Sequence, residues 1–160
     1  MSFVVLFKQV SKKNNIRQMS EQTYPITTVG ATIFNQDNQL LLIKTHKWNH
    51  KYGLPGGKIE VGEASKQALI REVKEETNLD IFDIEFMLAQ DVIFSEEFYK
   101  PKHFIFLNYR CQTSNSPNDV VLNEEAQSYV WVLPEEALQM DLNHPTKLLI
   151  EEVIKFANPQ

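Results

Sequence analysis

Apolar and polar residues alternate along this chain in short runs, and the composition of each run predicts its secondary structure. Runs rich in β-branched and aromatic residues predict strands. Ala64–Thr77 contains strong helix formers without an internal Gly or Pro and predicts a helix. After Asn143 and Pro145, an amphipathic stripe predicts a terminal helix, while Glu135–Met140 is at most a short helix. The predicted strands are Phe3–Val10, Ile26–Phe34, Gln39–Thr45, Phe82–Gln90, Lys102–Thr113 and Tyr129–Leu133.

This order of elements predicts an α+β fold with a mixed β-sheet between helices. The residues from Asn35 to Asn38 separate two predicted strands and indicate a hairpin with a four-residue loop. Ser11–Gln22 is polar and predicts a loop. There is no internal repeat and no low-complexity linker in the sequence, so we interpret residues 1–160 as one domain.

Composition and charge narrow the class of partner. The sequence is 42% hydrophobic and 23% charged, which is ordinary for a soluble globular protein. A net charge of −5 argues against a nucleic-acid polymer as partner, since binding its backbone favours a basic surface. A phosphorylated small molecule remains compatible with this charge, because bound metal ions can invert the local field.

Cysteine usage and the length of the apolar runs predict the compartment. Cys111 is the only cysteine, so we expect neither an internal disulfide nor a cysteine-based zinc site, and interpret it as a small buried strand residue. The apolar runs fall short of the ~20 residues that a membrane helix needs. The N-terminus is apolar before it is basic, which is the wrong order for a signal peptide. We therefore expect a soluble cytoplasmic protein without a membrane partner.

Three carboxylates share one face of the predicted central helix. Glu72, Glu75 and Glu76 lie three and four positions apart, so they repel one another unless a cation intervenes. Hard divalent cations take oxygen ligands, and Mg²⁺ suits a few carboxylates combined with phosphate oxygens. A solvated acidic helix face is the alternative interpretation. The adjoining arc, which we expect to pack on the sheet, contains Leu69, Ile70, Val73 and Thr77.

A glycine-rich segment precedes this helix and favours the metal interpretation. Gly56 and Gly57 lack a Cβ and allow main-chain groups to approach a ligand closely. Lys58 follows at once and can supply a point charge to a phosphate. Gly62 is free to turn before the helix, and Glu63 near the helix start is favoured by the helix dipole. Together these residues indicate a metal–phosphate site.

The stretch from Gly57 to Leu79 resembles the Nudix box, the signature of the Nudix (MutT-type) hydrolases. The matching positions are the first glycine Gly57, the first glutamate Glu63, the pair Arg71-Glu72, the aliphatic Val73, the pair Glu75-Glu76 and the aliphatic Leu79. One fixed position departs from the signature, because Asn78 stands where the family has its second glycine. We expect a left-handed backbone there, which Asn tolerates best after Gly, and an intact site.

The resemblance covers about residues 26–157, leaves residues 1–22 outside it, and implies the Nudix fold, a mixed β-sheet sandwiched between α-helices. It implies that metal ligands come from four positions and that Arg71 orients the glutamates, with Glu63 supporting the loop and pairing with Arg71. The implied ligands are Glu72, Glu75, Glu76 and the carbonyl of Gly56. The implied cofactor is Mg²⁺, with Mn²⁺ as the other candidate, and the implied reaction is hydrolysis of a nucleoside diphosphate linked to another group.

The general base is less defined by the sequence. In many family members it lies on a loop before a strand that carries a Trp, and here Glu124 and Glu125 precede Trp131. The spacing favours Glu125 over Glu124. A solvated loop pair, with Glu72 or Glu75 serving as the base, is the alternative.

Substrate contacts are predicted from residue type alone. Trp48 and Tyr52 are candidates for an aromatic platform under a flat group, as are Phe94 and Phe98, although ordinary packing is the alternative for each. Lys58 is a candidate phosphate contact. The loop residues Lys44, His46, Lys47 and His50 are further candidates, with solvated loop residues as the alternative.

The function expected from the resemblance is a pyrophosphohydrolase acting on a (d)NTP-type or nucleotide-sugar substrate. The alternative is a Nudix-fold sensor that binds a nucleotide without cleaving it. Such proteins usually lose glutamates of the box, and this sequence keeps them all. Homodimer formation is left open.

Overall fold

The computed structural model describes residues 24–157, so the predicted strand Phe3–Val10 and loop Ser11–Gln22 lie outside the described residues. The strands are β1 (Ile26–Phe34), β2 (Leu40–Thr45), β3 (Tyr52–Gly53), β4 (Gly56–Lys58), β5 (Phe82–Ile93), β6 (His103–Gln112) and β7 (Ala126–Val132). The helices are α1 (Ser65–Thr77), α2 (Pro134–Ala137) and α3 (His144–Ala157), with short 3-10 turns at His46–Trp48 and Pro117–Asp119. The predicted elements within the described range are all found, and β5 runs three residues further than predicted.

The strands form one mixed sheet with β1 near its centre. The order is β3-β2-β1-β6-β5, while β4 also pairs with β1 and β7 with β2. β1 and β6 run parallel, from the pair Ile26–Phe104 to the pair Phe34–Gln112, and the remaining pairings are antiparallel. The predicted mixed sheet is therefore confirmed.

Alternating side chains of β1 and β2 divide the core between the two faces of the sheet. On one face Val29, Ala31, Ile33 and Leu41 pack with Leu69 and Val73 of α1. On the other face Phe34, Leu40 and Leu42 pack with Ile150 and Val153 of α3. The sheet is thus sandwiched between α1 and α3, as predicted.

The packing face of α1 is narrower than the sequence predicted. Leu69, Val73 and Thr77 are buried as expected. Ile70 was expected to join them, but 47% of it is exposed. The prediction for Ile70 is wrong because each helical position turns by about 100°, so the residue after Leu69 leaves the contact face.

Local hydrogen bonds define the predicted hairpin between β1 and β2. The side-chain Oδ1 of Asn35 accepts from the N–H groups of Asp37, at 3.0 Å, and Gln39, at 2.9 Å. Asn38 takes the left-handed backbone with a φ of 58°. Cys111 is buried in β6, as interpreted from the sequence. Within residues 24–157, no helix combines the length and the apolar character that crossing a membrane would require.

Candidate active site

Local hydrogen bonds fix both ends of α1, the helix that carries the carboxylates. At its start, the N–H of Ala64 donates to Oε1 of Gln67 at 3.1 Å. At its end, Asn78 has a φ of 63°, and its N–H donates to the carbonyl of Lys74 at 3.0 Å. The left-handed backbone predicted for Asn78 is therefore confirmed, and the departure from the signature glycine leaves the end of the helix intact.

The glycines of β4 lie where side chains would collide with the site. A Cβ on Gly57 would sit 2.3 Å from the carboxyl carbon of Glu72, so glycine lets that carboxylate lie against the backbone. A Cβ on Gly56 would sit 2.0 Å from the carbonyl oxygen of Val29 in the neighbouring strand. The close approach that these glycines allow is between β4, β1 and α1, while the approach of a ligand to their main chain stays a prediction.

Arg71 connects the loop before α1 to the acidic face of the helix. Its Nε and Nη2 donate to the two carboxylate oxygens of Glu63 at 2.8 and 2.9 Å. Its Nη1 donates to Oε1 of Glu72 at 2.9 Å and, at 3.4 Å, to Oε2 of Glu75. Nη2 also donates to the carbonyl of Lys58 at 3.1 Å. One guanidinium therefore holds β4, the loop and two carboxylates of α1 in register.

This network sets the charge state of Glu63 and Arg71. The hydrogen bonds from Arg71, together with the N–H of Glu60, lower the pKa of Glu63 to about 2. Hydrogen bonds from Glu63 and then Glu72 raise the pKa of Arg71 above its ordinary value. Both groups are therefore ionised across the physiological range, as a fixed positioning pair requires.

Glu76 and Glu72 lie in the less hydrated part of the site. Glu76 is 8% exposed, and its Oε2 accepts from the N–H of Gly56 at 2.8 Å. Burial raises the pKa of Glu76 to about 8, against the opposing effect of the Gly56 hydrogen bond. Burial also raises the pKa of Glu72, against the opposing effect of Arg71. A buried carboxylate with this little compensation is stabilised by a cation.

The donor set of this face fits a hard divalent cation. Glu72, Glu75 and Glu76 supply carboxylate oxygens, which Mg²⁺ and Mn²⁺ prefer to nitrogen or sulfur ligands. In the part of the chain that the structure describes, however, no three His, Cys, Asp or Glu side chains are already gathered around one point. The side chain of Glu75 is 56% exposed and turned toward Arg71. Because the side chain of Glu75 is exposed, it can rotate toward the carboxylates of Glu72 and Glu76 without disturbing the core.

Glu125 reaches the same cleft from the loop before β7. Its carboxylate pairs with the Nζ of Lys47, and the two side chains are 46% and 44% exposed. Glu125 also contributes to raising the pKa of both Glu72 and Glu76. Of the two neighbouring glutamates considered from the sequence, Glu125 lines the cleft and Glu124 lies outside it.

The cleft has a volume of about 710 Å³ and contains an acidic side and an aromatic side. Lys58 lines the acidic side, beside the carboxylates of α1. Trp48 lines the aromatic side, with its ring 4.9 Å from that of Phe98, centroid to centroid. Both of these predicted contact residues therefore line the cleft.

Tyr52, the third predicted contact residue, does not line the cleft. It packs against the core cluster on the α3 side of the sheet, and the Nζ of Lys44 lies 5.6 Å from its ring centroid. Pairing with Lys44 of β2 and the bridge to Leu142 hold Tyr52 at that cluster, apart from the residues that line the cleft. The expectation that Tyr52 contacts the substrate is corrected accordingly. Phe94 packs against His103 and also lies outside the cleft.

The sequence did not indicate the buried amides on the aromatic side of the cleft. Gln90 is 9% exposed and Asn108 is 2% exposed, and both line the cleft. They lie 18 positions apart in separate strands, and only the antiparallel pairing of β5 with β6 brings them together. Single Gln or Asn residues in predicted strands show no characteristic spacing, so the sequence could not predict that these two side chains meet.

Comparisons with protein families and known proteins identify relatives of this chain. The family model described as the NUDIX domain matches residues 25–153. The nucleoside triphosphatase NudI of Salmonella agona is 35% identical over 130 residues, which cover 75% of this chain and 91% of that protein. NudI of Escherichia coli is 32% identical over the same shares of both chains.

Solved structures are similar over most of the chain. The MutT NUDIX hydrolase of Burkholderia pseudomallei has a TM-score of 0.69 and 25% identity, covering 81% of this chain and 98% of that one. The NUDIX domain of Shewanella oneidensis NrtR, solved with ADP ribose, has a TM-score of 0.71 over 90% of this chain and 99% of that one. Its identity of 19% supports the fold alone.

The family model spans almost all of the described residues, and three glutamates of the box, Glu72, Glu75 and Glu76, line the cleft. The chain belongs to the Nudix (MutT-type) hydrolase family and is a pyrophosphohydrolase of that family.

Proposed function

We propose that this protein hydrolyses a phosphoanhydride bond of nucleoside triphosphates, with Mg²⁺ or Mn²⁺ as its metal. The observation that carries the proposal is the juxtaposition, in one cleft, of the carboxylates of α1 with an aromatic wall. The acidic side suits a metal-bound polyphosphate, and the aromatic side suits a flat base. The NudI relatives, named as nucleoside triphosphatases, support this choice over a nucleotide sugar.

The proposed metal ligands are those expected from the resemblance. Glu72, Glu75 and Glu76 would hold the ion, with the carbonyl of Gly56 contributing from β4. A bound divalent ion lowers the pKa of water and neutralises charge on the departing phosphate. Arg71 keeps one oxygen of Glu72 engaged and so fixes the direction of that carboxylate. The N–H of Gly56 does the same for Glu76.

Glu125 is proposed as the general base. It lies in the cleft, is more exposed than Glu72 or Glu76, and pairs with the exposed Lys47. When Lys47 turns to a phosphate of the substrate, the Glu125 carboxylate can accept a proton from the attacking water. Glu72 is held by Arg71, which makes it the poorer base. Lys47 and Lys58 line the same cleft, and both can stabilise phosphate charge once the substrate enters.

A product analysis tests the proposed reaction. The full chain is incubated with Mg²⁺ and a panel of ribo- and deoxyribonucleoside triphosphates, nucleotide sugars and ADP-ribose. We expect nucleoside monophosphate and pyrophosphate from the triphosphates. Release of nucleoside diphosphate and orthophosphate would contradict the pyrophosphohydrolase assignment of the bond. Binding without cleavage of any compound would instead favour the sensor alternative.

A pair of adjacent variants tests the base. Glu125→Gln is expected to lower kcat by about two to four orders of magnitude, as loss of a general base does. Glu124→Gln removes the same charge one residue away, outside the cleft, and is expected to keep the wild-type rate. Equal rates for the two variants would remove Glu125 from the mechanism.

A further inference from the structure

The floor on the aromatic side of the cleft is built from two buried amides. Asn108 pairs with Leu88 across the β5–β6 ladder, and Gln90 lies two residues further along β5. Residues two apart on a strand share a face, so the two side chains meet diagonally. Gly30 of the adjacent strand makes room for them, because a Cβ there would sit 2.7 Å from Oδ1 of Asn108.

The hydrogen bonds of these amides fix which atom each presents. The Nε2 of Gln90 donates to the carbonyl of Pro145 at 3.1 Å, and a carbonyl can only accept. The Oε1 of Gln90 is thereby turned toward Asn108, whose Nδ2 donates to it at 2.9 Å. The carbonyl of Pro145, at the start of α3, therefore sets the orientation of both amide side chains.

This arrangement leaves donors for a ligand. An amide nitrogen carries two hydrogens, and within residues 24–157 the Nε2 of Gln90 and the Nδ2 of Asn108 each make one hydrogen bond. One N–H of each residue thus remains uncommitted at the floor. A buried donor without a partner is costly, so the floor favours a group that brings acceptors.

The wall beside this floor suits a planar ring. Trp48 lies with its centroid 4.9 Å from that of Phe98 and 6.1 Å from that of Phe106. Phe104 completes the cluster at 6.5 Å from Trp48. A planar heteroaromatic group can stack against such a surface while its edge reaches the floor.

We propose that Gln90 and Asn108 are specificity-determining residues that select nucleobases bearing a carbonyl oxygen, namely uracil, thymine, cytosine and guanine, over adenine. This proposal rests on the proposed function, since it assigns the base of the same triphosphate substrate. The two uncommitted N–H groups donate to carbonyl oxygens of the base. Adenine has no carbonyl oxygen, and its ring nitrogens N1 and N7 lie beside an exocyclic amine, so an amide N–H that faces this amine sets a donor against a donor.

The test compares kcat/KM for UTP and GTP with that for ATP, using the full chain with Mg²⁺. Wild type is expected to favour UTP and GTP by about tenfold or more, because a site with buried polar groups rejects the analogue that leaves them unpaired. Asn108→Leu and Gln90→Met keep the side-chain size and remove the amides. Each is expected to bring the ratios to within about threefold, through loss on UTP and GTP.

The matched control is Gln112→Met. Gln112 is an exposed amide on the same strand as Asn108 and lies outside the cleft, so this variant should keep the wild-type ratios. Thermal unfolding of each variant verifies that it folds, and the presence of two independent amide variants keeps the test valid if one of them fails. Equal kcat/KM for all three nucleotides in wild type would overturn the proposal and leave the proposed hydrolysis standing.

If no triphosphate is cleaved, a binding measurement still tests base selection by Gln90 and Asn108 separately from the proposed hydrolysis. Calorimetric titration with UMP, GMP and AMP needs no turnover. Tighter binding of UMP and GMP than of AMP, lost in Asn108→Leu, would support the amide floor even if no triphosphate were cleaved. Equal affinities for the three monophosphates in wild type would overturn it.

Discussion

The backbone N–H of Gly56 donates a 2.8 Å hydrogen bond to Oε2 of Glu76, across 20 positions of the sequence. This bond joins β4 to α1, the two elements that form the acidic side of the cleft. Within the described residues it is the one hydrogen bond that the Glu76 carboxylate receives. Burial raises the pKa of Glu76 to about 8, so ionising this carboxylate is unfavourable in the metal-free fold. A bound cation would offset the cost of burying the negative charge.

Replacing Glu76 with Gln tests whether its charge serves catalysis or the fold. Gln keeps an oxygen that can accept from Gly56, and it removes the buried charge. We expect kcat to fall by about two orders of magnitude or more, since metal binding contributes several kcal/mol to such reactions. Circular dichroism and thermal unfolding of the metal-free variant should match wild type. Unfolding of the variant would show that the carboxylate maintains structure instead.

The stabilisation by Mg²⁺ is predicted to grow with pH. The pKa of Glu76 is raised from 4.5 in the unfolded chain to about 8 in the metal-free fold. The raised pKa of Glu76 therefore contributes fully to the free energy of unfolding below pH 4.5, and this contribution is lost as the pH rises through 8. Mg²⁺ binds the ionised form, so its effect on Tm should be small near pH 6 and larger near pH 8.5.

Thermal unfolding with Mg²⁺ and with EDTA, across this pH range, measures the difference directly. The Glu76→Gln variant is the control, because it lacks the titrating group and its smaller Mg²⁺ effect should depend less on pH. A Tm difference that is constant with pH in wild type would contradict the role of Glu76 as a metal ligand.

Arg71→Lys is predicted to impair catalysis while keeping the charge. Lysine cannot span Glu63, Glu72 and the carbonyl of Lys58 as the planar guanidinium does. Loss of this positioning should lower kcat by about 10- to 100-fold with a smaller change in KM. Arg110→Lys is the matched control, since Arg110 is exposed on β6 and stacks over Phe34 away from the cleft. Equal activity of the two variants would contradict the positioning role of Arg71.

Gly57→Ala is predicted to displace Glu72. The new Cβ would meet the carboxyl carbon of Glu72 at 2.3 Å. Activity should fall by about tenfold or more, because the Glu72 carboxylate, a proposed metal ligand, would be displaced. Gly62→Ala is the comparison, because a Cβ there meets nothing within 4 Å although φ is 85°. That variant should lose about 1 kcal/mol of stability from its left-handed backbone and keep its rate once folded. Rate assays combined with denaturant unfolding distinguish the two effects.

Asn78→Gly is predicted to be neutral or mildly stabilising. Asn78 has a φ of 63° and caps the end of α1 through its N–H. Glycine adopts this backbone without steric cost, so the free energy of unfolding should change by less than about 1 kcal/mol. A large loss of stability in denaturant unfolding would mean that the Asn78 side chain has a structural role beyond the cap.

The sequence predicted those parts of the site that lie within one continuous stretch. Spacing alone placed Glu72 beside Glu75 and Glu76, and the Arg71–Glu63 pair follows from the resemblance. The shared face of the three glutamates was predictable because helical geometry converts sequence separation directly into position, whereas Glu63 lies before the helix. Strands β1, β2, β5, β6 and β7, and the hairpin between β1 and β2, were also predictable from short β-rich runs and the turn residues between them.

The parts that depend on long-range pairing were not predictable in this way. Tyr52 was expected in the cleft, but its pairing with β2 and its bridge to Leu142 hold it against the core cluster. Gln90 and Asn108 went unrecognised because only the register of β5 against β6 makes them neighbours. Neighbours of this kind arise from tertiary structure, which the spacing of residues in one strand does not encode.

We propose that the carboxylates of α1 support metal-dependent cleavage of a nucleoside triphosphate. The most direct measurement is the initial rate of pyrophosphate release from a triphosphate substrate, with Mg²⁺ and with excess EDTA, by wild type and by the Glu75→Gln/Glu76→Gln variant. We expect release by wild type with Mg²⁺, and near-background rates with EDTA and for the folded variant. Release at the wild-type rate in EDTA, or by the variant with Mg²⁺, would contradict it.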